Sequence, residues 1–437
     1  MTRNTPSTPS TTTTIAPSSS DDAEPPHPRG SFRLLADPTF GPFFAGKLLS
    51  TAGIWVHNIV AAILAYELSG SAFVVGMVSV AQFGPQLLFA PLSGALADRG
   101  DRRRQVILGR LIAAAGSGSL AIAIWVAGVD GLPGAWVVVL AALIVGIGFV
   151  VGGPAMNALI PALVRPNELA SAVALNSIPF TVARAGGPAI GALIAATAGP
   201  ASAFALAAAT NVVFALLLLP LHIETRARAN GADRRVRAGI AYLREDRAIW
   251  LLLVGVAAIG VGADPVITLT PSLSAGFGAG STLVGLFASS FGVGAGLAFT
   301  VLGPLRRRLG LSRLATLGLG LLATGLLATA LSPTPAFAVV ALGVGGSGMT
   351  MSLTSLSTQL QQRLPDELRG RVMALWSVAF LGSRPIAAGL NGGLADVTSP
   401  ALAFGVVAVI VAIAAWFCRP SAVASRPVPT FSHVTGR

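Results

Sequence analysis

A short charged stretch between two long apolar runs constrains this chain more than any other feature of its sequence. Residues 98–104 read Asp-Arg-Gly-Asp-Arg-Arg-Arg, which places six charges among seven residues. The flanking apolar runs, 72–97 and 105–128, are each long enough to cross a bilayer as a helix, which takes about 20 residues. Because charges in hydrocarbon are costly, the stretch must face water and the two helices must be antiparallel neighbours.

The composition is that of a membrane protein. Hydrophobic residues make up 53% of the chain, charged residues only 11%, and the mean hydropathy is +0.76. The single cysteine, Cys418, excludes an internal disulfide and a cysteine metal cluster. Residues 1–30 are rich in Ser, Thr, Pro and Asp and predict a disordered tail without the pattern of a signal peptide. Residues 419–437 predict a second polar tail.

Twelve apolar segments lie between these tails, and each is close to the length that a bilayer requires. They are continuously apolar and do not alternate over about ten residues, so they predict helices and not a membrane barrel. The predicted spans are 40–65, 72–97, 105–128, 134–160, 169–196, 201–222, 249–272, 280–304, 312–331, 335–360, 371–395 and 400–418.

The placement of basic residues predicts the orientation. Five connections on one side contain nineteen of the 29 bases, and the two tails contain six more, whereas the six connections on the other side contain none. By the positive-inside rule, both termini are cytoplasmic in a multi-pass protein of the cell (plasma or inner) membrane. The excess of basic residues, which gives the net charge of +12, therefore sets the topology and is expected to contact anionic lipid. We expect no nucleic acid partner.

An internal repeat divides the chain into two halves. Five residues recur at a single offset of 200, among them Phe180 as Phe380 and Arg184 as Arg384. The segment that begins at Pro200 recurs at Pro400 with the same offset. Two six-helix bundles, 31–222 and 249–418, are therefore expected, joined by a cytoplasmic linker at 223–248. Within that linker, residues 233–247 predict a short basic amphipathic helix, either on the membrane surface or solvated.

The charged stretch resembles the cytoplasmic loop signature of the major facilitator superfamily, Gly-x-x-x-Asp-Arg-x-x-Arg-Arg. Further segments look like the drug:proton antiporter group of that superfamily, which includes the enterobactin exporter and macrolide efflux proteins. The similarity extends over about 32–418 and implies an all-α membrane fold of twelve transmembrane helices in two pseudo-symmetric bundles. Its segments are 32–35, 66–71, 97–104, 182–188 and 366–373.

The resemblance implies a gating motif in the charged stretch. In the family, the matching Asp and Arg form a latch between the halves that favours the outward-facing state, and we assign that role to Asp98 and Arg102. A pure determinant of topology is the alternative. The counterpart in the second half, 303–308, keeps its arginines and lacks the aspartate. The motif comprises Gly94, Asp98, Arg99, Asp101, Arg102 and Arg103.

A second motif of the family matches the fifth span. Gly187, Pro188 and Gly191 resemble the antiporter motif Gly-x-x-x-Gly-Pro-x-x-Gly-Gly, while Ala183 and Ala192 replace two of its glycines. Proline bends a helix and small residues permit close packing. In the family this helix helps to seal the pathway against leak.

Ionisable side chains inside the spans are the candidates for contact with substrate or protons. Asp264 is the only acid placed within a span, and a carboxylate there can alternate between charged and neutral forms. The acid that the family often has in the first span is replaced by Ile54, so either Asp264 or His57 acts in its place or the coupling of this chain differs from that of the family. The alternative is that Asp264 lies near the outer mouth of the pathway and only caps a helix or binds water there. The candidate set is Asp264, Arg184, Arg384, His57, Lys47, Gln82 and Gln86.

Three arginines lie well inside the predicted spans. Arg184 and Arg384 are equivalent in the repeat, so they are expected near a central cavity, where they attract an anionic or oxygen-rich substrate or pair with a carbonyl or carboxylate. Arg110 lies only ~9 Å along its helix past Arg104. It is therefore predicted to extend to the cytoplasmic surface as an anchor.

The sequence predicts a transporter and not an enzyme. We find no metal-ligand spacing, nucleophile constellation or phosphate-binding loop, and we expect no cofactor. The predicted function is proton-coupled export of a small organic molecule, of drug, macrolide or siderophore type, by alternating access. The alternatives are an importer or uniporter of a small anionic metabolite, or a transporter-like membrane sensor. The expected partners are the small-molecule substrate, protons and membrane lipids, and the chain is expected to be a monomer.

Overall fold

The computed structural model describes residues 31–99, 101–221, 247–364 and 366–423, which form helices joined by short connections. The predicted tail 1–30, nearly all of the linker 223–248 with its predicted helix, and the tail beyond 423 lie outside the described residues. The helices are α1 Ser31–Leu35, α2 Phe40–Ser69, α3 Ala72–Arg99, α4 Arg102–Ala127, α5 Trp136–Leu159, α6 Leu169–Leu175, α7 Ile178–Ala198, α8 Pro200–Leu218, α9 Arg247–Ala263, α10 Pro265–Thr268, α11 Thr270–Gly276, α12 Ser281–Ala330, α13 Pro335–Arg363, α14 Asp366–Val397, α15 Pro400–Phe417 and α16 Pro420–Val423.

The all-helical fold class is as the sequence predicts. Within the described residues, ten helices are long and apolar enough to cross a membrane. One of them, α12, is 50 residues long and breaks at Gly310, whose φ of 74° lies in the left-handed region. It therefore occupies the places of the predicted eighth and ninth spans, and α14 occupies the place of the eleventh. Helical residues therefore occur in every predicted span, while the number of twelve separate transmembrane helices stays a prediction.

Two spans that the sequence predicts as continuous are broken in the structure. The fifth divides between α6 and α7, next to Pro179, and the seventh divides into α9, α10 and α11 at Asp264 and Leu269. Proline has no N–H to donate and its ring clashes with the preceding turn, so helices tend to end before it. Pro265 consequently places Asp264 at a helix break.

The repeat with an offset of 200 is also visible in the helix starts. Both α8 and α15 begin at a proline, Pro200 and Pro400. Proline suits the first position of a helix because the N–H that it lacks has no partner there. The equivalent helices before them, α7 and α14, each contain an internal proline, Pro188 and Pro385.

The N-terminal half (residues 31–221) and the C-terminal half (247–423) meet along two pairs of helices, α3 with α14 and α7 with α12. We call the end of the molecule with Arg102 the inner end and the opposite end the outer end, following the predicted orientation.

Close backbone contacts between the halves depend on glycine. A Cβ atom on Gly76 would lie 2.3 Å from the carbonyl oxygen of Ala388, and one on Gly392 would lie 2.4 Å from that of Ala72. On the other helix pair, a Cβ on Gly292 would lie 2.3 Å from the carbonyl oxygen of Arg184. These distances are too short for any side chain, so the halves touch backbone to backbone.

Candidate functional site

A carboxylate on one half caps a helix of the other half at the outer end. Asp396, near the end of α14, accepts hydrogen bonds from the backbone N–H of Ala72 at 2.7 Å and of Phe73 at 3.1 Å, and from the Ser71 hydroxyl. These donors lie at the start of α3, where free N–H groups and the helix dipole favour a negative charge. We call this contact the outer clasp.

Inward of the outer clasp, Asp264 is buried between helices, with 2% of its surface exposed. Its Oδ2 accepts a hydrogen bond from the Asn391 amide at 2.9 Å, and its Oδ1 accepts one from the Thr268 hydroxyl at 3.0 Å. Asn391 precedes Asp396 by five residues on α14, which is about 7.5 Å along a helix axis. Asp264 is therefore sealed inside the protein in this conformation and does not line an open outer mouth.

Two buried arginines, one from each half, lie at the boundary between the halves. Arg384 lies close enough to Asp264 to be attracted by its charge, and close enough to Arg184 to be repelled. Both guanidiniums lie over aromatic rings, Arg384 at 4.5 Å from the ring centre of Phe83 and Arg184 at 5.0 Å from that of Phe291. We call Arg184, Asp264 and Arg384 the central charge cluster.

A narrow cleft lies beside this cluster between the two halves, and in this conformation it has no room even for a water molecule. Its lining includes Asn58 and Gln82 of the N-terminal half and Ile267 of α10. The Gln82 amide donates to the Asn58 side-chain oxygen at 2.7 Å, so the two polar side chains satisfy each other. Gln86, one turn further along α3, is half-buried.

His57 lies apart from the central charge cluster, inside the N-terminal half. Its Nδ1 is 3.0 Å from the Ser117 hydroxyl, and its ring packs edge-on against Phe204 with 5.4 Å between centroids. Its Nε2 is buried without a hydrogen-bond partner. The structure thus separates the two predicted proton candidates, His57 and Asp264.

Lys47 and Arg110 form a second group of buried cations, also in the N-terminal half. Lys47 donates to the side-chain oxygen of Asn176, and Arg110 lies near Asn211. The prediction that Arg110 extends to the cytoplasmic surface is wrong, because only 2% of this residue is exposed. Its guanidinium packs over the aromatic rings of Phe149 and Phe214 inside the bundle instead.

The charged stretch connects α3 and α4 at the inner end. Asp101 caps α4 by accepting from the backbone N–H of Arg104 at 3.2 Å. Arg103 donates to the Leu218 carbonyl at 2.8 Å, and Arg102 donates to the Ala158 carbonyl at 3.4 Å, both at helix ends of the same half. The structure does not describe the side chains of residues 90–99, a segment that contains Gly94, Asp98 and Arg99. The latch role of Asp98 and Arg102 stays a prediction.

The motif in α7 packs this helix against two others. A Cβ on Gly187 would lie 2.6 Å from the Cβ of Trp55, and one on Gly191 would lie 3.0 Å from the Cα of Val56, so both glycines admit α2. On the side of the C-terminal half, the backbone N–H of Ala189 donates to the Ser289 hydroxyl at 2.8 Å.

Sequence reasoning missed the most direct polar contact between the halves. The sequence pattern gives Asp396 no role, because its partners lie more than 320 residues away in the chain. The aromatic ring of Phe83 beneath Arg384 also gave no signal. A short polar turn, such as Ser69-Gly-Ser71 before an apolar helix, is the kind of pattern that marks a helix start in need of a cap.

Two helical halves that enclose a charged cluster between them are the architecture of a membrane transporter. The model of the transmembrane secretion effector family matches residues 29–427, so the chain belongs to this family of the major facilitator superfamily.

Similar proteins with curated names are efflux proteins. Macrolide efflux protein A of Streptococcus pyogenes is 26% identical over 367 residues, which cover 82% of this chain and 89% of that protein. The enterobactin exporter EntS of Salmonella choleraesuis is 26% identical over 378 residues, which cover 84% of this chain and 88% of that protein.

Solved structures of similar fold are transporters at low sequence identity. The nucleoside transporter NupG superposes with a TM-score of 0.72 at 12% identity, covering 88% of this chain and 98% of NupG. A bacterial homologue of the iron transporter ferroportin, in an inward-facing state, superposes with a TM-score of 0.64 at 16% identity, covering 86% of this chain and 96% of that chain. At these identities the likeness shows the fold alone.

Proposed function

We propose that this chain is a secondary active exporter that moves a small organic molecule of drug, macrolide or siderophore type out of the cell by alternating access, in exchange for protons. Two relatives of about the same length are named for macrolide efflux and enterobactin export, which supports the outward direction and the range of substrates. The proposal places the protein in the cell membrane as a monomer with both termini in the cytoplasm.

The observation on which the proposal rests is the central charge cluster. Arg184 belongs to the N-terminal half, while Asp264 and Arg384 belong to the C-terminal half, and all three are buried. A buried charge is costly unless it is paired. The balance of charge in this cluster therefore affects the free-energy difference between the state in which the halves are in contact at the cluster and the state in which they are apart there.

Proton coupling requires a group whose two protonation states favour different arrangements of the halves. Ionised Asp264 offsets the charge of Arg384, and Arg384 and Arg184 repel each other across the boundary between the halves. Protonated Asp264 leaves that repulsion without its offset. Proton binding therefore changes how strongly the halves are held together at this depth.

Cargo is proposed to bind at the cleft beside the cluster once the two halves separate there and widen it. The cleft offers the amides of Asn58 and Gln82, the ring of Phe83 and the nearby Arg384, a set suited to a partly apolar molecule with oxygen acceptors. In the proposed cycle the outer clasp closes the outer side, and the Asp98–Arg102 latch closes the inner side in the opposite state.

The test is efflux by cells that lack their own macrolide and siderophore exporters. We expect the wild type to lower the accumulation of at least one of erythromycin, ethidium and enterobactin, in a manner abolished by a protonophore. Asp264→Asn keeps the shape of the side chain and removes its charge, so we expect proton-driven efflux to be lost. Asp130→Asn, at an exposed acid in an outer connection, is the matched control and should behave as the wild type.

Two outcomes would contradict the proposal separately. Unchanged, protonophore-sensitive efflux by Asp264→Asn at wild-type amounts in the membrane would remove Asp264 from proton coupling. Equal accumulation of all three probes in cells with and without the wild-type protein would refute export of this range of molecules.

A further inference from the structure

Two cations are buried together inside the N-terminal half, away from the central charge cluster. Lys47 of α2 is 7% exposed and Arg110 of α4 is 2% exposed. Phe214 links the two positions: a Cβ atom on Gly46, next to Lys47, would lie 2.3 Å from its ring, and the Arg110 guanidinium lies 5.9 Å from the centre of the same ring. Lys47 is seven residues past the start of α2 and Arg110 eight past the start of α4, so both lie about 10–12 Å along their helices from the inner ends.

The hydrogen-bond donors of Arg110 have only weak acceptors. One terminal nitrogen is 3.5 Å from the side-chain oxygen of Asn211, at the limit of a hydrogen bond, and the other is 3.8 Å from the sulfur of Met156. The Nε–H is buried and has no partner. The rings of Phe149 and Phe214 complete the surroundings at 5.6 and 5.9 Å.

The neighbours of these two cations are neutral. Lys47 donates to the side-chain oxygen of Asn176, which satisfies a donor and leaves the charge in place. In the part of the chain that the structure describes, no carboxylate lies within ion-pair distance of Lys47 or Arg110. Burial of two like charges without a counter-charge is unfavourable, and the usual remedies in proteins are a partner or a bound ion.

We propose that Lys47 and Arg110 form a binding site for a small inorganic anion, of halide or nitrate size, inside the N-terminal half. The guanidinium provides the unpartnered Nε–H and poorly paired terminal donors, and the lysine ammonium provides a second charge. The side-chain amides of Asn176 and Asn211 adjoin the site and orient the two cations through their oxygens. Lipid phosphate is excluded as the ligand because both cations are enclosed by helices.

This site is independent of the proposed cargo and proton chemistry, so its test needs no transport. Purified protein in lipid nanodiscs is titrated with sodium chloride or sodium nitrate, with sodium gluconate replacing the salt to keep ionic strength constant. We expect a saturable rise in the midpoint of thermal unfolding with chloride or nitrate. Broadening of the ³⁵Cl magnetic resonance line by the protein, reversed by nitrate, is the direct readout.

Three variants locate the site. Lys47→Met and Arg110→Gln each remove one charge and are expected to weaken the apparent affinity at least tenfold. Arg110→Lys retains the charge and is expected to bind more tightly than Arg110→Gln. Arg313→Gln removes an exposed arginine of the other half and should leave the affinity unchanged.

The absence of a saturable anion effect and of line broadening in the wild type would overturn the proposal whether or not the variants fold. An equal effect in the wild type and Arg110→Gln would place the anion elsewhere and also overturn it. The acidic group of a transported molecule has the same chemistry. If an anionic cargo alone stabilised the wild type while chloride and nitrate had no effect, the site would belong to the cargo and the proposal of an inorganic anion would be wrong.

Discussion

Removal of the Asp396 carboxylate should weaken the closed arrangement of the outer ends. The outer clasp joins α14 of one half to the first N–H groups of α3 in the other, through Ala72 and Phe73 and the Ser71 hydroxyl. These bonds exist only while the outer ends are together. Asp396→Ala therefore destabilises the outward-closed state, and it leaves states in which the ends are apart without a comparable loss.

The free energy by which Asp396→Ala destabilises the outward-closed state can be estimated from the kind of contact that is lost. Removal of a helix-capping side chain costs typically about 1 kcal/mol. The loss of a negative charge at a helix N-terminus adds about 0.3–1 kcal/mol. Asp396 is exposed, so the larger values known for buried pairs do not apply. The sum, about 1–2 kcal/mol, corresponds to a 5- to 30-fold change in the ratio of outward-closed to outward-open protein.

The measurement is a distance distribution between spin labels at the outer ends. Ala127→Cys and Leu331→Cys place one exposed label on each half, and the native Cys418 is buried and inaccessible to the reagent. We expect Asp396→Ala to increase the population at long distance. Asp396→Asn keeps one acceptor oxygen and loses the charge, so its shift should be smaller. Asp130→Ala removes another acid of the outer end, one that makes none of the hydrogen bonds of the outer clasp, and is the control.

The reasoning fails if Asp396→Ala and Asp130→Ala give the same distribution as the wild type. It also fails if Asp396→Ala lowers the midpoint of thermal unfolding without a change in the distances. In that case the carboxylate would stabilise α3 within each state and would not distinguish between states.

Three further predictions concern backbone positions and the gating motif. Gly310→Ala should lower the free energy of unfolding by about 1–2 kcal/mol because only its φ of 74° is unfavourable for alanine, whereas Gly303→Ala, with helical geometry and open space around it, should be tolerated in the same denaturation measurement. Gly292→Ala should reduce efflux because its Cβ would clash with the other half, and Gly296→Ala, whose Cβ would meet its neighbour at 3.6 Å, should retain efflux. Asp98→Asn should impair export with normal amounts of protein in the membrane, and normal export would reject the latch.

The elements of this fold were largely predictable because apolar length and proline are local signals. The predicted apolar runs are largely helical, ten helices among the described residues are long and apolar enough to cross a membrane, and Pro200 and Pro400 begin equivalent helices, as the offset of 200 suggests. The broken fifth and seventh spans were not predicted, although Pro179 and Pro265 stand at the breaks. Apolar content does not report a break, because both sides of a broken helix remain in hydrocarbon.

The arrangement of the charges was less predictable because it depends on contacts between distant segments. The repeat predicts that Arg184 and Arg384 approach a central cavity from opposite halves, and in the structure each lies over an aromatic ring of the other half, Phe291 and Phe83. Burial of Arg110 went unforeseen, since distance along one helix cannot show whether a neighbouring helix covers the side chain. The pairing of Asp396 with α3 likewise requires the relative height of two helices in different halves.

The backbone contacts at Gly76, Gly292 and Gly392 separate two kinds of inherited change. Only glycine fits at positions where a Cβ atom has no room. The surface along which the halves contact each other therefore tolerates almost no substitution at these positions. The cleft is lined instead by side chains such as Gln82 and Phe83, each open to many replacements. In the proposed cycle, replacements in this lining would therefore change which cargo is bound, while the glycine contacts between the halves would stay as they are.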